Sequence, residues 1–249
     1  MNTIIDLSSK TIVVTGAASG IGRSTCIVAS NQGARVVMLD LCEEDMKNTM
    51  SMMNGKGHGY YVIDLTDIAS LSDIAKCINN EYGEIYGFVH CAGISSRKPL
   101  NVLKRDGFTK LLDVNFFSFV ELVKLFTKKG RMADGSSIVA MSSISSIKGY
   151  KAKTEYCVSK ASVDAFVRCM ALELSPRKIR INTVMPAVVN TPLAAKAQEM
   201  KTLVGGEELS APLGASEPEE VANLIVFLLS DATKTITGTS LLIDGGATI

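Results

Sequence analysis

A chain of 249 residues has room for one large α/β domain or two small ones, and at this size a hydrophobic core needs no covalent staples. With 26 basic and 25 acidic residues the net charge is +1, which gives no electrostatic basis for binding nucleic acid or an anionic membrane. The 6 cysteines (Cys26, Cys42, Cys77, Cys91, Cys157, Cys169) form no CxxC pair, and the 2 histidines, His58 and His90, are too far apart for a histidine-based metal site.

The thiols are therefore expected to be reduced and mostly buried, the protein cytoplasmic, and no metal is expected. Met1 to Lys10 lacks a basic start followed by an apolar run, so no secretory signal is read. The longest apolar patch, around Val221 to Leu229, is helix-sized and too short to span a bilayer. No repeat or Pro/Gly/Ser-rich linker divides the chain, so residues 1–249 are expected to form a single domain.

Seven apolar, β-branched runs read as strands: 11–15, 35–40, 60–64, 85–90, 137–141, 179–185 and 240–244. Their near-continuous apolar character predicts a mainly parallel seven-stranded sheet buried on both faces. Helical stretches lie between them at 21–32, 43–53, 67–82, 108–128 (broken near Asn115), 154–174 and 219–229. Pro218 suits the first turn of the last helix, and Glu219 and Glu220 suit its positive end. Such alternation predicts a doubly wound α/β fold with the sheet flanked by helices and ligands at the carboxyl ends of the strands.

The first strand runs into Gly16-Ala-Ala-Ser-Gly20-Ile-Gly22, the position at which a dinucleotide pyrophosphate rests on a helix N-terminus. Gly16 permits the sharp turn, Gly20 lets phosphates approach bare backbone, Gly22 allows close helix packing, and Ser19 offers a hydroxyl. The spacing is GxxxGxG rather than GxGxxG, so the loop alone is also compatible with an ordinary strand–helix turn. Asp40 closes the second strand, where a carboxylate accepts from ribose hydroxyls and repels a 2′-phosphate. No Arg or Lys occupies positions 17–19, 41 or 42, which favours NAD over NADP. Asp64, followed by Leu65, either accepts from the adenine amino group or caps the helix near Asp67.

Tyr156 and Lys160 stand one turn apart on the helix after the fifth strand. A neighbouring ammonium favours tyrosinate and is expected to lower the tyrosine pKa, so that Tyr156 serves as general acid/base. Ser143 ends the fifth strand, where a hydroxyl can bond a substrate oxygen. Asn115 lies in an apolar stretch, Asp113-Val-Asn-Phe-Phe117, where a buried amide either serves the site or satisfies backbone at a helix break.

In register these motifs resemble the short-chain dehydrogenase/reductase family, in its short single-domain branch, from about Leu7 to the C-terminus. The resemblance rests on Thr15-Gly-Ala-Ala-Ser-Gly-Ile-Gly22, Asp64, Ala92-Gly93, Asn115, Ser143, Tyr156/Lys160, Pro186 with Thr191, and Asp244-Gly-Gly246. It implies a single-domain Rossmann fold in which Ser143 polarises the substrate oxygen and Tyr156 moves the proton. Lys160 lowers the tyrosine pKa and holds the nicotinamide ribose, and Asn115 orders a water in a relay through Lys160. Gly16, Ser19, Gly20, Ile21, Gly22, Asp40, Asp64, Leu65, Cys91, Ala92 and Gly93 are the implied dinucleotide contacts, with Val189 and Thr191 at the carboxamide. Two departures stand out: His90-Cys91 replaces the family's usual Asn-Asn, and Ala187 follows Pro186 where glycine is usual. His90 is read as structural.

The expected substrate is a ketone or secondary alcohol with little charge, against apolar walls including Ile94, Ile144, Ile147, Tyr150, Val188, Leu193, Met200 and Leu203. Residues 191–212 are expected to form a lid with a hinge at Gly205-Gly206. The chain resembles 3-oxoacyl-carrier-protein reductases as closely as alcohol, sugar or hydroxysteroid dehydrogenases, which makes an NADPH-dependent reductase of the first type the alternative. Arg177 and Lys178 either meet an acidic carrier or complement a helix end. A dinucleotide-sensing regulator need not keep Asn115, Ser143, Tyr156 and Lys160 together, so their joint presence favours an enzyme. Phe116, Phe117, Phe119, Val120, Val123 and Phe126, with Val163, Phe166, Val167, Met170 and Leu174, exceed what one sheet face needs. With the family's habit of pairing these helices and a C-terminal strand edge, they imply a homotetramer, with a dimer as fallback.

Overall fold

A computed structural model describes residues 5–204 and 211–249, the side chains of residues 200–204 excepted. Seven strands form one sheet in the order β3-β2-β1-β4-β5-β6-β7. They are β1 (Thr11–Thr15), β2 (Arg35–Asp40), β3 (Gly59–Val62), β4 (Ile85–His90), β5 (Met132–Met141), β6 (Arg180–Pro186) and β7 (Ser240–Ile243). Every pairing is parallel. The helices are α1 (Gly20–Asn31), α2 (Glu43–Ser51), α3 (Ile68–Tyr82), α4 (Arg105–Leu112), α5 (Ser118–Phe126), α6 (Thr154–Leu174), α7 (Pro192–Val204) and α8 (Pro218–Leu229).

Strand alternation divides the core into two layers. Ile12, Val14, Val36, Met38 and Val89 point to the layer covered by α1 and α8, where Cys26, Ala29, Ile225 and Leu229 are buried. Val13, Val37, Leu39, Phe88 and Ile181 point to the other, against Leu71, Phe119, Phe126, Val163 and Val167 of α3, α5 and α6. The strand order reverses between β1 and β4, and that switch point opens a crevice at their carboxyl ends.

Several expectations need correction. β5 begins at Met132, five residues before the apolar run, because Gly135 (φ +80°) and a register shift opposite Ile85/Gly87 carry it through polar sequence. The helix expected over 108–128 is three pieces: α4, a π-turn at Asp113–Phe117, and α5. The expected lid starts as α7, where the Ala194 N–H in the first turn donates to the Thr191 hydroxyl at 3.2 Å. The proposed Gly205-Gly206 hinge lies outside the described residues, as do the side chains of Met200 and Leu203. At α8 the Glu220 carboxylate accepts from the Glu217 N–H at 2.7 Å, and the helix starts at Pro218, one residue before the expected 219.

All six cysteines are free, but Cys42, Cys77 and Cys169 are exposed rather than buried. Phe119, Val123, Phe126, Val163 and Val167 are buried within this one chain, so they are not surplus apolar surface. The Phe88 ring packs on those of Phe119 at 6.0 Å and Phe126 at 5.0 Å. Among the described residues no helix is long and apolar enough to cross a membrane.

Candidate active site

The loop from β1 to α1 forms the floor of a cleft of about 330 Å³. Gly16 turns at φ +67°, and a Cβ there would stand 2.7 Å from the Ala92 nitrogen, so only glycine fits. Gly20 faces Thr191, and Gly22 faces the Gly16 carbonyl. Ser19 precedes α1 without capping it, and the first turn of α1 has no acidic residue, which leaves its N–H groups and positive end available to an anion. Asp40 accepts from Ala18 N–H at 3.0 Å and Leu41 N–H at 2.7 Å, which fixes its carboxylate at the rim. Ile21, Asp64, Leu65, Cys91, Ala92, Gly93 and Thr191 complete the lining. Asp64 takes the Thr66 N–H and hydroxyl at 2.8 and 2.7 Å, whereas Asp67 caps α3, so Asp64 is not the helix cap.

A second cleft of about 310 Å³ shares Ile21, Cys91, Gly93, Thr191 and Leu193 with the first. Its walls include Ser143, Tyr156, Lys160, Ala187, Val188 and Val189. Ser143 follows β5, and its hydroxyl accepts from Ser145 N–H at 3.1 Å and bonds the Tyr156 phenol. Tyr156 and Lys160 project from α6, with the Lys160 ammonium 5.8 Å from the Tyr156 ring centre. Thr191 bonds the Val189 carbonyl at 3.3 Å, and Val189 is held by a bridge to Ser216.

Asn115 is fully buried in the π-turn. Its oxygen accepts from Ile94 N–H at 2.8 Å, and its nitrogen donates to the Ile94 carbonyl at 3.0 Å and to the Ser159 hydroxyl at 2.9 Å. The amide thus clamps the strand-end segment, through the Ile94 backbone, to α6, through the Ser159 hydroxyl, rather than satisfying backbone at the helix break. A Cβ at Gly93 would stand 3.3 Å from the Asn115 oxygen and 3.5 Å from the Lys160 ammonium, so both groups converge on that glycine.

The electrostatics differ from the sequence expectation. Burial pushes the Tyr156 phenol up to about 12, with the Ser143 hydrogen bond acting the other way. Burial also brings Lys160 down to about 8. Burial thus outweighs any lowering of Tyr156, while the Lys160 ammonium donates to the Met141 carbonyl at 2.8 Å. Asp164, one turn beyond Lys160, is buried and receives the hydroxyls of Ser142 at 2.8 Å, Thr183 at 2.7 Å and Ser240 at 3.2 Å. His90 shares a 3.0 Å hydrogen bond with the Thr15 hydroxyl, and burial presses its pKa down to about 3. It is a neutral strand-to-strand tie outside the cleft lining.

The expected apolar wall is only partly present. Ile144, Val188 and Leu193 line the catalytic cleft, Ile94 lines the dinucleotide cleft, and Ile147 is 64% exposed. Sequence reading missed Arg97, Lys153 and Gln198, which also line the catalytic cleft. The signal was present in the basic run Lys148-Gly-Tyr-Lys-Ala-Lys153 ahead of Tyr156.

The family model for "Enoyl-(Acyl carrier protein) reductase" matches residues 16–248. The 3-oxoacyl-[acyl-carrier-protein] reductase of Thermotoga maritima is 33% identical over 249 residues, covering 98% of this chain and 99% of its own. The NAD-dependent glycerol dehydrogenase of Listeria innocua is 31% identical over 247 residues, covering 98% and 96%. A short-chain dehydrogenase/reductase from Serratia marcescens superposes with a TM-score of 0.89 at 25% identity, covering 98% and 99%. With fold, motifs and whole-chain similarity in agreement, the chain belongs to the short-chain dehydrogenase/reductase family, as an oxidoreductase of alcohols and ketones with a nicotinamide dinucleotide cofactor.

Proposed function

We propose that this chain moves a hydride between NAD(H) and a secondary alcohol or ketone, with Tyr156 as the general acid/base. The observation that carries the reading is the continuity of the two clefts: Ser143, Tyr156 and Lys160 stand in one, and the glycine loop and Asp40 in the other. The bare N-terminus of α1 and the glycine-lined floor fit a pyrophosphate, and Asp40 fits ribose hydroxyls. When bound, the dinucleotide supplies or accepts the hydride. Ser143 donates to the substrate oxygen, and Tyr156 gives or takes its proton. Lys160 holds the nicotinamide ribose, Thr191 and Val189 hold the carboxamide, and Asn115 keeps the segment after β4 in place for both. We propose a homotetramer for the assembly, built on exposed residues of α6 and the π-turn and on the β7 edge.

The name of the Thermotoga maritima relative supports a second reading, a 3-oxoacyl-carrier-protein reductase using NADPH. Asp40 speaks against the NADPH part. Arg177 is spent inside the chain, on Asp134 at 2.7 Å and on the Thr127 and Met132 carbonyls at 2.5 Å, which removes one expected carrier contact. Initial rates against ketones and secondary alcohols with each cofactor test the reading. Turnover faster with NADH or NAD is expected, and turnover confined to NADPH with carrier-bound substrates overturns it.

A further inference from the structure

The catalytic cleft carries positive charge that the reading above leaves unused. Arg97 and Lys153 both line it, together with Ser95, Ser145 and Gln198. Lys153 stands at the N-terminal end of α6, and its ammonium lies 5.5 Å from the centre of the Tyr156 ring and 5.6 Å from that of Tyr150. The catalytic ring is thus flanked by two ammonium groups, the other being Lys160 at 5.8 Å. Lys160 has a task, whereas Lys153 has no carboxylate within ion-pair distance among the described residues.

Its surroundings make that costly. Burial disfavours the Lys153 charge, and the charge of Arg97 disfavours it further. The two segments of this rim, 95–98 and 148–155, are joined by the Lys98 N–H to the Ala152 carbonyl at 2.7 Å and by Arg97 to the Lys151 carbonyl at 3.3 Å. They bring Arg97, Lys98, Lys148, Lys151 and Lys153 together with one carboxylate, Glu155. That carboxylate is buried and already accepts from Ser96 at 2.6 Å and Lys98 at 3.3 Å. Within these two segments basic groups outnumber acidic ones five to one, an excess that favours an anion in the cleft they border. A half-desolvated lysine beside a like charge is stabilised by an anion that enters from outside.

We propose that Lys153, with Arg97 beside it, binds a carboxylate or phosphate monoester of the substrate, making the substrate a hydroxy or oxo anion instead of a neutral alcohol. The inference rests on Tyr156 being the reaction centre. With the reacting oxygen at Tyr156, the distance to Lys153 sets the anion a few bonds from the carbinol carbon, on a small substrate.

Pairs of ketones that differ only in charge provide the test: acetoacetate against methyl acetoacetate, and dihydroxyacetone phosphate against dihydroxyacetone, each with NADH. The charged member of at least one pair is expected to have a kcat/KM at least about tenfold higher, the scale of one charge-assisted hydrogen bond. The pair that shows it identifies the anion as carboxylate or phosphate. In Lys153→Met that preference is expected to collapse toward one, and in Lys153→Arg to persist in part. Should Lys153→Met fail to fold, Arg97→Gln and competitive inhibition by malonate or inorganic phosphate against the neutral ketone give the same reading. Equal use of both members by the wild type, or an equal loss on both in Lys153→Met, overturns the inference and leaves the Tyr156 reading standing. If no ketone, charged or neutral, is reduced with either cofactor, the Tyr156 reading falls and this inference with it.

Discussion

The ammonium of Lys160 stands 5.8 Å from the centre of the Tyr156 ring, with no hydrogen bond between them. The lysine is engaged by the Met141 carbonyl, and the phenol sits near pKa 12. In the cofactor-free protein Tyr156 is therefore protonated at neutral pH, and an absorbance titration should show no tyrosinate from it below about pH 10. Tyr156→Phe keeps the ring and removes the proton carrier, so kcat is expected to fall at least about 100-fold with circular dichroism unchanged. Near-normal turnover of that variant on a good substrate would remove Tyr156 from the mechanism.

Asp40 should set the cofactor preference. Its carboxylate is fixed by the Ala18 and Leu41 N–H groups at the rim of the dinucleotide cleft, beside the 67% exposed Leu41. NAD is expected to exceed NADP by at least about tenfold in kcat/KM, about 1.4 kcal/mol. Asp40→Ser combined with Leu41→Arg removes the repulsion and adds a phosphate partner, and the ratio should narrow or invert. A wild-type preference for NADP would show the carboxylate does not have this role.

His90 should make stability fall with acid. Its folded pKa near 3 lies below the ordinary 6.5, so the unfolded chain binds a proton that the folded chain refuses. This contribution is fully present above about pH 6.5 and is lost as pH falls toward 3, by at most about 1.4 kcal/mol per pH unit. Asn in its place can still bond Thr15 and does not titrate. Thermal melts of His90→Asn and wild type between pH 7 and 4.5 should diverge, the variant losing less. Parallel slopes would mean the imidazole is accommodated when charged.

Phe119 and Val167 are buried in the layer beneath the sheet, whereas Phe117 is 47% and Leu172 77% exposed. An Asp at either buried position is expected to unfold the chain, since an unpaired charge in a core costs several kcal/mol. An Asp at Phe117 or Leu172 should leave the fold intact and reduce the sedimenting species toward the 26.6 kDa protomer. A wild type already sedimenting at that mass would exclude the homotetramer.

Strand–helix alternation, the glycine loop and the Tyr156/Lys160 spacing were legible because each is local, fixed by period or by a turn that few residues tolerate. What escaped was set by distance. The raised pKa of Tyr156 was not foreseen because burial, its largest cause, is a tertiary fact. Counting phenylalanines on a helix could not tell Phe117 from Phe119 until α5 was seen against the sheet. The basic wall was missed because Arg97 and Lys153 lie more than 50 residues apart, on segments joined by tertiary contacts such as Lys98 with Ala152 and Arg97 with Lys151. The π-turn carries no period to read, and Asn115 alone marked it.

The three hydroxyls gathered by Asp164 come from the end of β5, from β6 and from β7. A carboxylate on the catalytic helix is in this way laced to the last strand of the chain. Replacing Ser240, the first residue of β7, takes its hydroxyl from under the helix that carries Tyr156 and Lys160, and shifts the remaining load onto Ser142 and Thr183. Loosening of β7 at Ser240 should therefore register as blunted turnover at temperatures where the rest of the sheet is still intact, and the start of this strand serves as a keystone of the reaction centre.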